Sequence, residues 1–171
     1  MQASPSMASS AAAEPINPVD AALTDGQIAM IASDVDRAEI AAGKLALTHA
    51  RSVQVRQFAQ HMVTEHTKVD TKLLALARAQ NIPLTDSTVS AKLTRENDAQ
   101  KSSLAGLSGT DFDRAYIDAQ LKGHEDVLDM LDARLIPTAQ NGALKATLET
   151  TRAKVLMHIH MAKEARAALG N

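Results

Sequence analysis

Cysteine and tryptophan are missing from this chain altogether. Without a thiol there is no disulfide, no thiolate metal site, no iron–sulfur cluster and no cysteine nucleophile. The same absence is neutral about compartment. Aromatic rings are confined to Phe58, Phe112 and Tyr116, so a core must be built from Ala, Leu, Ile, Val and Met, most of which favour helix. The 7 glycines and 5 prolines are few, and most stand where helices should end. Charge of one sign is lacking too: 18 basic against 20 acidic residues give a net −2. No basic stripe exists, so no nucleic-acid partner is expected. No apolar run approaches the ~20 residues that cross a bilayer, so no transmembrane segment is expected. Nor does any segment alternate apolar and polar residues like a strand. A glycine-rich phosphate loop, a nucleophile elbow and an HExxH motif are all missing.

What is present is apolar residues at helical spacing. They make up 45% of 171 residues, enough for one sizeable core. The expected fold is all-α: a four-helix bundle over residues 23–171, preceded by a flexible Ala/Ser/Pro-rich segment, 1–22. That segment has neither the charged start nor the leucine-rich stretch of a signal peptide. It reads as the kind of linker that often follows a removed one.

The first helix is expected from about Asp25 to Ala50, opened by a capping box of Thr24 and Gln27. Its seam is Ile28, Ile31, Val35, Ala38, Ala42 and Leu45. Ser52 caps a second helix running to about Gln80, where Asn81-Ile82-Pro83 stops it. Residues 84–109 carry only a thin apolar stripe of Val89, Leu93, Leu104 and Leu107, which suits a shorter helix on an outer face. Thr110 and Asp113 are expected to cap a third bundle helix, with seam Ile117, Leu121, Leu128, Leu131 and Leu135, ended at about Ile136 by Pro137. After the Asn141-Gly142 turn signal, a fourth runs from Ala143 to about Leu169. A connection this long between two helical hairpins suggests a crossover, as in the ferritin-like class.

Four ionisable residues fall on inward faces. Glu39 shares a face with Val35, Ala42 and Ala46; His66 lies between Met62 and Val69; His124 and His158 each fill a gap in an apolar seam. With a crossover and a rise of ~1.5 Å per residue, all four stand about 16–22 Å from the same end of the bundle. The third bundle helix should then run parallel to the second, with the three imidazoles mutually within about 8 Å. Three imidazoles and a carboxylate suit a divalent metal: zinc first, manganese or iron second. The competing reading is a metal-free core in which the histidines bond each other and Glu39. Among weaker candidates, Glu65 could replace or support Glu39 or His66; His61 lies beside the seam; His49 should be solvated at a helix end; His160 should point elsewhere. Di-iron chemistry would need Glu three residues before a histidine. Val63, Leu121 and Val155 stand there instead, so no such site is expected.

Three stretches carry a resemblance. AEIAAGKLALTHARSVQVRQFAQHMVTEHTKVDTKLLALA, LSGTDFDRAYIDAQLKGHEDVL and HIHMAKEA resemble the exported bacterial proteins labelled "predicted outer membrane protein", or domain of unknown function 4142. The likeness runs from about Leu23 to Leu169. It implies a ferritin-like bundle, export to the periplasm or cell envelope, and a family pattern falling on Glu39, His66, His124 and His158. Two positions depart from that pattern: Glu65 stands where Asp is usual before the histidine, and Ala153 where a proline often precedes the last one. The label itself finds no support in a β-barrel pattern or a spanning apolar run. The expected function is an exported bundle protein holding one divalent ion. The alternative is a metal-free structural or stress-related interaction protein of the bacterial envelope, its protein partner unknown. Beyond the metal, no catalytic set is legible.

Overall fold

A computed structural model describes residues 22–170, all of whose regular structure is helical. All but the last residue of the Ala/Ser/Pro-rich segment 1–22 lies outside the described residues. Helix α1, Asp25–His49, opens on the expected capping box: Gln27 N–H donates to Thr24 Oγ1 at 3.3 Å, and Thr24 N–H to Gln27 Oε1 at 3.0 Å. Ser52 caps α2, Val53–Ala79. That helix ends in a Schellman turn. Asn81 takes the left-handed conformation (φ 54°), Ile82 N–H reaches Ala77 O, and Asn81 N–H reaches Arg78 O. Asparagine tolerates that conformation better than most residues.

The exit from α2 then passes hard against the start of α1. A Cβ on Gly26 would stand 2.2 Å from the Pro83 carbonyl oxygen, and Thr85 N–H donates to Gly26 O. Helix α3, Thr88–Ala105, buries only Ser90 and Leu104 and lies against α1 and α4. It is the outer-face helix expected of the thin stripe. Helix α4, Gly109–Met130, follows. A π-helical turn, Leu131–Leu135, leads into the short α5, Ile136–Thr138, and then α6, Gly142–Ala168, is capped by Asn141.

Two of these boundaries correct the expectation. Asp113 does not cap α4, whose start at Ser108 has no side-chain cap bond. Its carboxylate instead accepts Arg51 N–H at 3.0 Å and Ser52 N–H at 2.8 Å, pinning α4 to the α1–α2 turn. Pro137 does not stop the helix at Ile136 either. The backbone widens first, Ile136 N–H reaching back five residues to Leu131 O. The proline, which cannot donate and would crowd a normal turn, then sits in a fresh one.

These ties settle the direction of each helix. Asp113 and the parallel bridge between Ala50 and Gly109 set the start of α4 beside the start of α2. At the far end the Asp25 carboxylate accepts Gln140 and Asn141 N–H, while Asn141 Nδ2 donates to Gln80. Hence α4 runs parallel to α2, and the stretch holding α3 spans the molecule end to end, as a crossover requires.

The apolar interior is in two parts. One gathers Ile28, Ile31, Leu73, Leu131, Leu144 and Leu148; the other Ala46, Phe58, Met62, Phe112, Ile117 and Ala162. Each burial contributes at about 25 cal/mol per Å² of apolar surface. Half-buried Leu121 packs against both. Buried Asp36, His66, His124 and His158 belong to neither.

Candidate metal centre

Three of the four expected site residues meet. His66 from α2, His124 from α4 and His158 from α6 are all buried, with ring centroids 5.2–5.8 Å apart. One nitrogen of each lies within 4.8 Å of the others. The level heights worked out from the crossover thus hold for the imidazoles. Glu39 comes to the edge of the same place without joining the trio of donors. It lines an internal chamber together with His66 and His124, and its Oε2 is buried without a partner.

The outward side of two rings is fixed. His66 Nδ1 lies 2.7 Å from Asp36 Oδ1, both side chains being buried. His124 Nδ1 lies 2.8 Å from the carbonyl oxygen of Gln120, one turn earlier. A carbonyl only accepts, so Nδ1 of His124 carries a proton, and in the neutral ring the lone pair is then on Nε2. In both rings Nε2 is buried and unpartnered. Metal-bound histidines are typically held in this way, by a carboxylate or carbonyl on the far nitrogen. His158 has no partner on either nitrogen.

Electrostatics separates the rings. Burial, together with His124, His66, His61 and Lys154, pulls the His158 pKa down to about 3, so this ring is neutral across the physiological range. Burial pulls on His66 as well. There the Asp36 hydrogen bond and the Glu39 and Asp36 charges outweigh it and hold the pKa above the ordinary histidine value. Tyr116, fully buried with its hydroxyl unpartnered, has its pKa pushed well up by burial and then by Glu39.

Among the described residues, the buried side-chain atoms left without partners belong to Glu39, His61, His66, Tyr116, Gln120, His124 and His158. Each such atom costs about 1–3 kcal/mol when desolvated and unpaired. They gather around the three rings: Gln120 lies one turn before His124, and His61 meets His158.

The other candidates are placed plainly. Glu65 neither replaces nor supports Glu39 or His66: its carboxylate takes Lys154 at 2.5 Å and Lys68 at 2.9 Å, hydrogen bonds that lower its pKa to about 2. His49 is not solvated; it is half-buried against Phe112, centroids 5.4 Å apart. His160 points outward, 3.4 Å from Glu164. Two residues were missed by the sequence reading. Asp36 stands three before Glu39 and three after buried Ser33, a polar stripe at helical spacing that was there to be read. Gln120 stands four before His124. His61, the weaker candidate beside the seam, meets the His158 ring edge-on at 5.6 Å.

Among the described residues no helix is long and apolar enough to cross a membrane. Comparison with curated proteins and with solved structures finds no match. A family model described as a domain of unknown function, DUF4142, matches residues 6–165, and the chain belongs to that family.

Proposed function

We propose that the protein is a ferritin-like four-helix bundle of the bacterial periplasm or cell envelope that holds one divalent metal ion through His66, His124 and His158, with Glu39 as fourth donor. The single observation that carries this reading is the convergence of three buried, unpartnered imidazole nitrogens within 4.8 Å. Tetrahedral zinc, about 2.0–2.1 Å from each nitrogen, keeps its nitrogens about 3.4 Å apart. Neutral imidazoles favour zinc, and added waters would let manganese or iron take the same donors. Glu39 would balance part of the ion's charge. Two antiparallel hairpins joined by a full-length crossover support the ferritin-like description. The envelope location rests on the resemblance to exported proteins.

The metal-free alternative counted on the histidines bonding one another and Glu39. Instead, His66 and His124 are bonded on their outward sides to Asp36 and Gln120. The test is elemental analysis of protein purified with added zinc, manganese or iron. About one ion per chain is expected, with a raised melting temperature, and both effects lost in the His66→Ala, His124→Ala double variant. A metal-free protein whose melting temperature ignores added ions overturns the reading.

A further inference from the structure

Three of the proposed donors, Glu39, His66 and His124, line a chamber of about 40 Å³. Its polar residues include Asp36, Glu39, His66 and His124, while the rest of the wall is mostly apolar, Leu73, Leu131 and Leu148 among it. A water needs about 10–15 Å³ of such space, so the chamber takes about three heavy atoms. It is too small for a metabolite and larger than one ion's own water requires.

The chamber shares a wall with the surface. Val69, Thr147 and Thr151 line it from within, and the same three line an open groove between α2 and α6 from without. Lys68, Lys72 and Lys154 stand along that groove, and no acidic residue lines it. Glu65 pairs with Lys68 and Lys154, so three ammonium groups face one carboxylate. A groove of one sign raises the local concentration of the opposite ion and speeds its arrival.

We propose that this chamber is a binding site for a small anion of two or three atoms, which enters between the lysines of the α2–α6 groove and ligates the ion held by the histidines. The inference rests on the metal reading above. Desolvating an anion in an apolar chamber is costly unless a counter-charge waits inside. A divalent ion beside His66 and His124 supplies it. The anion either adds to the ion's coordination or displaces the Glu39 carboxylate. Thr147, half-buried in the shared wall, is the throat. Lys72, exposed at its rim, acts only by its charge.

The experiment loads the full chain with cobalt(II), whose visible absorption reports its ligands, and titrates azide as the linear probe. One cobalt per chain is expected, with a saturable change in the visible bands on azide addition. Thr147→Phe should keep the cobalt and weaken the azide response at least tenfold. Lys72→Glu should slow azide association several-fold at low ionic strength, the difference vanishing near ~0.5 M salt. Cobalt that binds while its spectrum ignores azide overturns the chamber and leaves the metal reading standing. Cobalt that does not bind overturns both. If Thr147→Phe fails to fold, Lys72→Glu decides: an unchanged association rate at low salt removes the proposed entry.

Discussion

Asp36 and His66 sit on facing helices with Oδ1 and Nδ1 2.7 Å apart, both side chains buried, which leaves the second ring nitrogen of His66 buried and unpartnered. A carboxylate in this position orients a ligand ring and raises its basicity. Asp36→Asn keeps the shape and removes the charge. The expected outcome is a metal affinity reduced about 10–100-fold, read by competition with a chromophoric chelator. An affinity equal to wild type would detach Asp36 from the centre.

Asp113 does for the backbone what Asp36 does for a ring. Its carboxylate is the acceptor for two adjacent N–H groups of the α1–α2 turn. Asp113→Ala leaves both donors unpaired in a part-buried place and should cost about 2–4 kcal/mol. Urea denaturation should show a lower midpoint with unchanged slope. Asp25→Ala removes the equivalent tie at the far end, where one of the two bonds is exposed, and should cost less. The reverse order would mean that Asp113 does not anchor α4.

Acid should loosen the metal-free protein through His158. Its folded pKa of about 3 lies below the ~6.5 of an unfolded histidine. Between those values the unfolded chain binds a proton that the folded chain refuses, so stability falls as pH drops through that window. His66 has the opposite sign. Its folded pKa is raised, so its contribution is fully present below ~6.5 and is lost as pH rises through the folded value. Thermal melts of the metal-free His158→Leu variant from about pH 7 to pH 4 should show a flatter acid slope than wild type. Equal slopes would clear His158 of the effect.

Gly26 has no room for a methyl group. The atom it would meet is a backbone oxygen, Pro83 O, at 2.2 Å, with Thr85 Oγ1 at 2.9 Å. Gly26→Ala should therefore destabilise the fold by about 1–3 kcal/mol, although alanine is the better helix former. A melting temperature at or above wild type would show that the Pro83 turn yields.

Most of the fold was legible because its signals are local. The Thr24–Gln27 box, the Ser52 cap and the Asn81-Pro83 stop each act within a few residues, and each stands where the sequence puts it. His66, His124 and His158 were found by apolar spacing and by counting rise along the helices. Asp113 was misread because the acceptor pattern of a cap and that of a tie to a distant turn look alike in sequence. The π-turn at Leu131–Leu135 was missed because Pro137 announces a break and leaves open how the backbone prepares for it. Along α4 and the π-turn, Ile117, His124, Leu131 and Leu135 are buried as their spacing predicts. Leu121 and Leu128 of the same seam are only half-buried, and Tyr116 and Gln120, which the spacing does not single out, are buried. Hydropathy favours leucine over glutamine inside, and only a polar site reverses that preference.

The polar layer also bears on cooperativity. With Asp36, His66, His124 and His158 between its two apolar clusters, the interior joins end to end chiefly through Leu121 and the helix backbones themselves. Segments sharing an apolar cluster tend to open together. In the metal-free chain, amide exchange should then divide into two protected blocks. One covers the Asp25–Asn141 end, the other the α1–α2 turn with the start of α4. An ion gripped by three helices at their boundary would merge the blocks into one unit, so that this protein's folding would become all-or-none only once loaded.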